Sequence, residues 1–250
     1  VPSMAVHFPH RNSHVPPSPL TTSSGTPLRL LITAGPTWEP IDEVRYLGNR
    51  SSGRLGVQMA TAATRRGLTT TLLRGPATVD PTPDPLLTEG RFQSASDLES
   101  ALQREWPAHD ILIMAAAVAD HRPIREAGSA RKIRRLEGSL TIRLEPVPDL
   151  LAGLAEIPHA GTRIGFALEP ADELARNARA KLVRKRLAAI VANPLETMEA
   201  QTIDGVLIDA DGHEQRPARG PIGKDAFATW LIDRVIDLHQ RRIKDQAISD

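Results

Sequence analysis

The sequence of 250 residues contains no cysteine, which excludes disulfides, thiolate metal clusters and a cysteine nucleophile, and suits a reducing, cytoplasmic setting. Net charge is nearly absent too: 31 basic and 30 acidic side chains leave +1. No overall field gathers nucleic acid or anionic lipid, so any anion site must be built locally. No apolar run approaches the ~20 residues of a membrane helix. HExxH, GxSxG and the Walker GxxxxGK motif are missing, which leaves zinc peptidase, serine hydrolase and P-loop chemistry without a motif. GxGxxG is missing as well, and this weakens an NAD(P)-dependent oxidoreductase reading without excluding it. What is present, 40% hydrophobic and 24% charged residues, is the composition of one large globular domain.

Residues 1–27 are dense in Pro, Ser, Thr and His without the apolar stretch of a secretory signal, and they predict a disordered tail. From Leu28 the pattern changes. LRLLITA, between Pro27 and Gly35, predicts a buried strand, and Arg54–Arg66 a helix with Leu55, Met59, Ala62 and Ala63 on one face and Gly67 as its stop. TTTLLRG predicts a second strand, SDLESALQREW a helix capped by Ser96 with Glu99 three positions on, and DILIMAAA a third strand. TRIGFALE, a helix from Ala171 to about Lys185, and LAAIVAN continue the alternation. The rhythm predicts an α/β, Rossmann-like doubly wound fold: a mainly parallel sheet with helices on both faces. Two stretches, about 121–147 and 195–220, break the rhythm and predict small antiparallel ribbons outside the sheet. An amphipathic helix from about Lys224 to Lys244 closes a single domain of residues 28–245, leaving 246–250 as a tail.

Three segments carry candidate chemistry. The connection from Gly35 to Gly53 is long for a doubly wound fold, where two to six residues are typical. Its end, NRSSGRLG, puts Ser51, Ser52 and Gly53 at a helix entrance, where free N–H groups favour phosphate or carboxylate oxygens; an ordinary capped helix start reads equally well. The segment MAAAVADHRP follows the third strand, at the sheet edge where such folds bind ligands. Ala115, Ala116 and Ala117 leave room there for a base or ribose, and Asp120 suits a ribose hydroxyl or Mg2+ unless it is simply a cap. Finally, Arg131, Lys132, Arg134 and Arg135 form a basic cluster, and Lys181 and Lys185 lie i, i+4 on one helix face; solvated surface is the ordinary reading of both.

Taken together and in order, ITAGPTWEPIDEVRYLGNRSSGRLG, AAAVADHRP, KIRR, PDLL, GFALE and ARAKLVRKRLAAIVAN resemble phosphopantothenoylcysteine synthetase, the phosphopantothenate–cysteine ligase family, from Leu28 to about Ile243. The resemblance implies a two-step ligation in coenzyme A biosynthesis. The carboxylate of 4'-phosphopantothenate attacks the α-phosphate of CTP, pyrophosphate leaves, and the amine of L-cysteine displaces CMP from the acyl-cytidylate. Use of ATP is the variant within the family.

Carried over by position, the resemblance assigns Asn49, Arg45 and Lys132 to catalysis. It assigns Met114, Ala115, Ala116, Asp120, Lys132, Pro148, Asp149, Leu150, Leu151, Phe166, Lys181 and Lys185 to the nucleotide, and Gly35, Ser51, Ser52 and Gly53 to a phosphate loop. KIRR stands where the family pattern is KxKK. The resemblance also implies Mg2+ with unassigned ligands and no flavin in this chain, while the balanced charge and short apolar runs lead one to expect no nucleic-acid or membrane partner. It further implies a homodimer formed through the ribbons, and the stand-alone form of an enzyme elsewhere fused to a flavin-dependent phosphopantothenoylcysteine decarboxylase, which leaves that decarboxylase as a separate partner.

Overall fold

The computed structural model describes residues 19–22, 25–76, 79–125, 132–134, 139–198 and 200–249. Strand β1 (Arg29–Ala34) feeds two cores, because neighbouring positions of an extended chain point to opposite faces. Leu30 and Ile32 join the cluster covered by helices α1 (Arg54–Arg65) and α5 (Lys224–Ser249). Leu31 joins the cluster under α2 (Ala95–Glu105), the short α3 (Leu150–Gly153) and α4 (Leu174–Arg184). All three leucine and isoleucine side chains are fully buried, which is why a continuous apolar run, rather than an alternating one, forms this strand.

The remaining sheet strands are β2 (Thr69–Arg74), β3 (Leu87–Arg91), β4 (Ile111–Met114), β5 (Thr162–Glu169), β6 (Ala189–Pro194), β7 (Val206–Asp209) and β8 (Glu214–Gln215). They line up as β8-β7-β6-β5-β4-β1-β2-β3, with β1 to β6 mutually parallel. Helices cover both faces, so the doubly wound class is correct. The strand order 3-2-1-4-5-6 reverses direction between β1 and β4, and a reversal of this kind opens a crevice at the carboxyl ends of the two strands.

Several details depart from the sequence reading. Helix α2 is capped by Ser94 rather than Ser96: the Ser94 hydroxyl accepts from Asp97 N–H at 3.2 Å and the Asp97 carboxylate accepts from Ser94 N–H at 2.9 Å. Ser96 has the right spacing to Glu99, but a start there would leave the buried Ala95 outside the helix. The edge strand β3 (LTEGR) is too polar to announce itself. The ribbon expected in 121–147 exists, His121–Pro123 pairing antiparallel with Leu144–Pro146. The second, 195–220, does not lie wholly outside the sheet. Val206–Asp209 is buried throughout and pairs antiparallel with β6, carrying β8 with it, which covers an edge that would otherwise expose unpaired N–H and C=O groups. Only Thr202–Ile203 with Ile222–Gly223 forms a separate pair.

At the termini, part of the expected tail is structured. Leu20 donates to Gly67 O and accepts from Leu28 N–H, and Thr21 bridges Pro27; residues 1–18, 23 and 24 lie outside the described residues. Helix α5 continues through Ser249 instead of stopping near Lys244, so the expected tail is largely helical. Among the described residues no helix is long and apolar enough to cross a membrane.

Candidate functional site

The crevice at the reversal point is held open by backbone zippering between the loops leaving β1 and β4. Gly35 turns the chain with φ 84°, and its carbonyl accepts from Ala117 N–H at 2.9 Å. Thr37 N–H donates to Ala117 O at 3.2 Å, and the hydroxyls of Thr33 and Thr37 accept from Ala116 and Ala119 N–H at 3.1 and 3.0 Å. Asn49 completes the seam: its amide donates to Val118 O at 2.9 Å. Trp38–Pro40 and Tyr46–Gly48 form a hairpin, with Trp38 and Tyr46 stacked at 4.0 Å between ring centroids, and this hairpin delivers Asn49 to the seam.

Next comes the start of α1. Its cap is Gly53, with φ 64° and no side-chain cap. Ser51 and Ser52 reach the N–H groups of Gly53 and Arg54 only at 3.4 and 3.5 Å, and the amides of Leu55 and Gly56 have no acceptor among the described residues. Free amides at a helix start carry partial positive charge into the crevice. Gly56 allows this placement: a Cβ there would meet the Ala34 Cβ at 2.4 Å, so α1 seats on the end of β1 only because the side chain is missing.

Two hollows meet at this point. A cleft of about 630 Å³ is lined by Asn49, Ser51, Ser52, Gly53, Ala115, Ala116, Asp120, Phe166 and Lys181 among others. An adjoining hollow of about 250 Å³ is lined by Met114, Ala116, Asp120, Pro148, Asp149, Leu150, Leu151, Phe166, Lys181 and Lys185. Ala116, Val118, Asp120, Phe166 and Lys181 belong to both, so the two form one continuous site. Lys181 and Lys185 do share a face of α4, as their spacing predicts. Each is already paired, Lys181 with Glu169 at 2.5 Å and Lys185 with Asp149 at 3.0 Å. Burial would raise the Glu169 carboxyl, but the hydrogen bonds from Lys181 and Asn177 and the Lys181 charge outweigh it and hold the group below the usual carboxylate range.

Asp149 also caps α3, accepting from Ala152 N–H at 3.1 Å. Asp120 stands at the junction of the hollows with no ion pair or side-chain hydrogen bond among the described residues, and one free carboxylate beside phosphate oxygens is a donor set that suits Mg2+. The one cluster of potential metal ligands among the described residues, Asp209, Asp211 and His213, lies on the β7–β8 turn, away from the crevice.

Three expected site residues lie elsewhere. Gly35 shapes the seam but does not line either hollow. Arg45 points to the Ile133 carbonyl at 3.1 Å and to Asp42 at 3.4 Å. Lys132 is exposed and lines neither hollow. Asp42, buried, ties this corner together by accepting from Val44, Arg45 and Ile133 N–H at 2.8, 2.7 and 3.0 Å. The bonds from Ile133 and Val44, outweighing burial, hold its carboxyl below the ordinary range. Arg131 and Arg135, the outer members of the basic cluster, lie outside the described residues. In return the cleft gains Arg54 and Asn193, which lay within quoted segments without an assigned role, and Thr197 and Lys224, which no motif indicated. Lys224 opens the terminal helix and had registered only as a helix boundary.

Residues 26–238 match the family described as DNA/pantothenate metabolism flavoprotein C-terminal domain. The chain is 37% identical over 222 residues to the coenzyme A biosynthesis bifunctional protein CoaBC of Mycobacterium tuberculosis, which covers 83% of this chain and 52% of that protein. It is 40% identical over 221 residues to the CoaBC protein of Escherichia coli, covering 86% and 53%. The crystal structure of the C-terminal domain of a CoaBC protein is similar with a TM-score of 0.68 and 30% identity, covering 83% of this chain and 93% of that one. The chain therefore spans about half the length of these curated relatives.

Proposed function

The chain belongs to the DNA/pantothenate metabolism flavoprotein C-terminal domain family, and on that premise we propose that it joins the carboxylate of 4'-phosphopantothenate to the amine of L-cysteine at the expense of CTP. The observation that carries this reading is convergence. Residues from five segments between Asn49 and Lys185 meet in one continuous crevice where the strand order reverses.

The chemistry asks for such a place. A carboxylate is a poor acyl donor, because its leaving group would be oxide. Attack by the carboxylate oxygen on the α-phosphorus forms a mixed anhydride and expels pyrophosphate; attack by the cysteine nitrogen on the acyl carbon then forms the amide and expels CMP. Both steps gain chiefly from holding two partners in line. Small residues 115–117 admit the nucleotide close to the backbone, the α1 amides face its anionic part or that of the acid, and Asn49, held by Val118 O at 2.9 Å and only at 3.5 Å by Ala117 O, can turn its weaker-bonded N–H to a developing oxyanion. Mg2+ held by Asp120 together with substrate phosphates would offset negative charge during nucleotidyl transfer.

Seven exposed apolar residues support a homodimer: Val44, Tyr46 and Leu47 on the hairpin, and Ile124, Leu140, Ile142 and Leu144 on or beside the ribbon. The hairpin touches the ribbon, so these residues occupy one corner of the molecule. Arg45 and Lys132 sit on this corner, and in our reading a second subunit docked there brings such cations to a crevice they do not reach alone. The reaction would run in the cytoplasm and hand its product to a decarboxylase, separate or joined; relatives of twice the length that are named bifunctional fit that arrangement.

Pyrophosphate release measured with each component omitted tests the proposal. It is expected only with CTP, phosphopantothenate and Mg2+ together, with phosphopantothenoylcysteine appearing by mass spectrometry once cysteine is added. Equal turnover with ATP would refute the CTP assignment. Thermal stabilisation by a nicotinamide cofactor but not by CTP would favour the oxidoreductase reading instead.

A further inference from the structure

Positive charge is balanced in one half of the crevice and unbalanced in the other. In the smaller hollow Lys181 and Lys185 each face a carboxylate. In the larger cleft Arg54 and Lys224, both part of its wall, have no acidic partner among the described residues. The Arg54 guanidinium donates to the side-chain carbonyl of Gln201, and the Gln201 backbone carbonyl accepts from Lys224 N–H at 3.1 Å. One glutamine thus holds the starts of α1 and α5 side by side, each opening on a cation.

This arrangement works against the stability of the empty protein. A cation at a helix start opposes the helix dipole, and here two such starts adjoin. Burial first, and the Arg54 charge second, lower the Lys224 pKa below that of an ordinary lysine. A solvated surface lysine would turn away from both. Lys224 remains half-buried in the wall of the cleft that Leu55 and Gly56, with their unpaired amides, also line.

We infer that Arg54 and Lys224, with the free amides at the start of α1, hold a phosphoryl group of a substrate, in an anion subsite separate from the one formed by Lys181 and Lys185. The inference rests on the ligase reading and extends it, since that reaction brings two phosphate-bearing compounds to one crevice: a nucleoside triphosphate and a phosphorylated acid. Their shared chemistry fits this subsite, and each compound has a counterpart without phosphate that serves as a control.

Calorimetric titration of wild type, Lys224→Gln and Lys224→Arg with CTP, cytidine, phosphopantothenate and pantothenate decides the matter. Lys224→Gln is expected to weaken CTP or phosphopantothenate by about ten-fold, to leave cytidine and pantothenate unchanged, and to be rescued largely by Lys224→Arg. Which of the two phosphates is lost identifies the occupant. Unliganded Lys224→Gln should melt no lower than wild type, because a repulsive charge has gone. Unchanged affinity for both phosphorylated compounds would overturn the subsite while leaving the ligase reading intact. A fall in affinity for all four ligands together with a lower melting temperature would make Lys224 merely structural. Failure of the wild type to bind either phosphorylated compound would overturn the ligase reading and the subsite together.

Discussion

Asp42 accepts the backbone N–H of Ile133 at 3.0 Å although 91 positions separate the two in the chain. Arg45 grips the same residue from the other side, through the Ile133 carbonyl at 3.1 Å. Residue 133, next to the lysine expected to reach the nucleotide, is therefore fixed at both of its polar backbone atoms to the loop that leads to Asn49.

Replacing Asp42 with asparagine would turn one accepting oxygen into a donor facing either Ile133 N–H or the Val44 and Arg45 amides. We expect KM for CTP to rise several-fold while kcat changes little, read from initial-rate kinetics. Because the folded-state pKa of Asp42 is depressed, its contribution is fully present above the unfolded value of about 3.9 and is lost as pH falls through the lower folded value. An unaltered CTP dependence in the variant would show that the grip on Ile133 plays no part in nucleotide use.

Asn49→Asp is nearly isosteric but places a carboxylate against the carbonyls of Val118 and Ala117, to which the amide now donates at 2.9 and 3.5 Å. Product formation should fall by about 10²-fold, the usual effect of removing one oxyanion donor. Quenched reactions analysed by mass spectrometry would show whether acyl-cytidylate fails to form or accumulates. Full activity would remove Asn49 from the mechanism.

Gly56→Ala and Gly153→Ala form a matched pair. The first methyl collides with Ala34, and overpacking of this kind costs about 1–3 kcal/mol; the second enters open space at a helical φ of −58° and should stabilise by about 0.4–1 kcal/mol. Chemical denaturation midpoints should therefore move in opposite directions. A neutral Gly56→Ala would contradict the close seating of α1 on β1.

His109 and His239 are buried, and burial lowers the pKa of both. His109 bonds to Glu105 O and the Thr71 hydroxyl, and His239 to the Thr162 hydroxyl. A histidine whose folded pKa is depressed stabilises fully above its unfolded value of about 6.5 and less as pH falls toward the folded value. The melting temperature should thus drop by a few degrees between pH 7 and 5. The drop should shrink in a His109→Gln, His239→Gln double variant, and an identical pH profile there would point to other groups.

The sequence by itself determined the class of the fold and most of its strands, because consecutive apolar residues such as Leu30, Leu31 and Ile32 can be buried on both faces only in a helix-covered parallel sheet. It also supplied most of the crevice, since Ser51–Gly53, Ala115–Ala116 and Lys181/Lys185 follow strands or share a helix face and so carry a local signature. It misplaced the cap of α2, where Ser94 and Ser96 both fit the three-residue spacing and only burial of Ala95 chose between them. It set β7 outside the sheet, because a short VLID run reads the same on a free ribbon and on a sheet edge.

Tertiary structure alone decided that Asp42 meets Ile133, that Arg45 and Lys132 stand away from the crevice in one chain, and that Gln201 sets Lys224 beside Arg54. The reason is physical: hydrophobic periodicity is a local property, written into every few residues. A polar contact between distant segments depends on where the whole sheet brings them, and leaves no pattern near either partner.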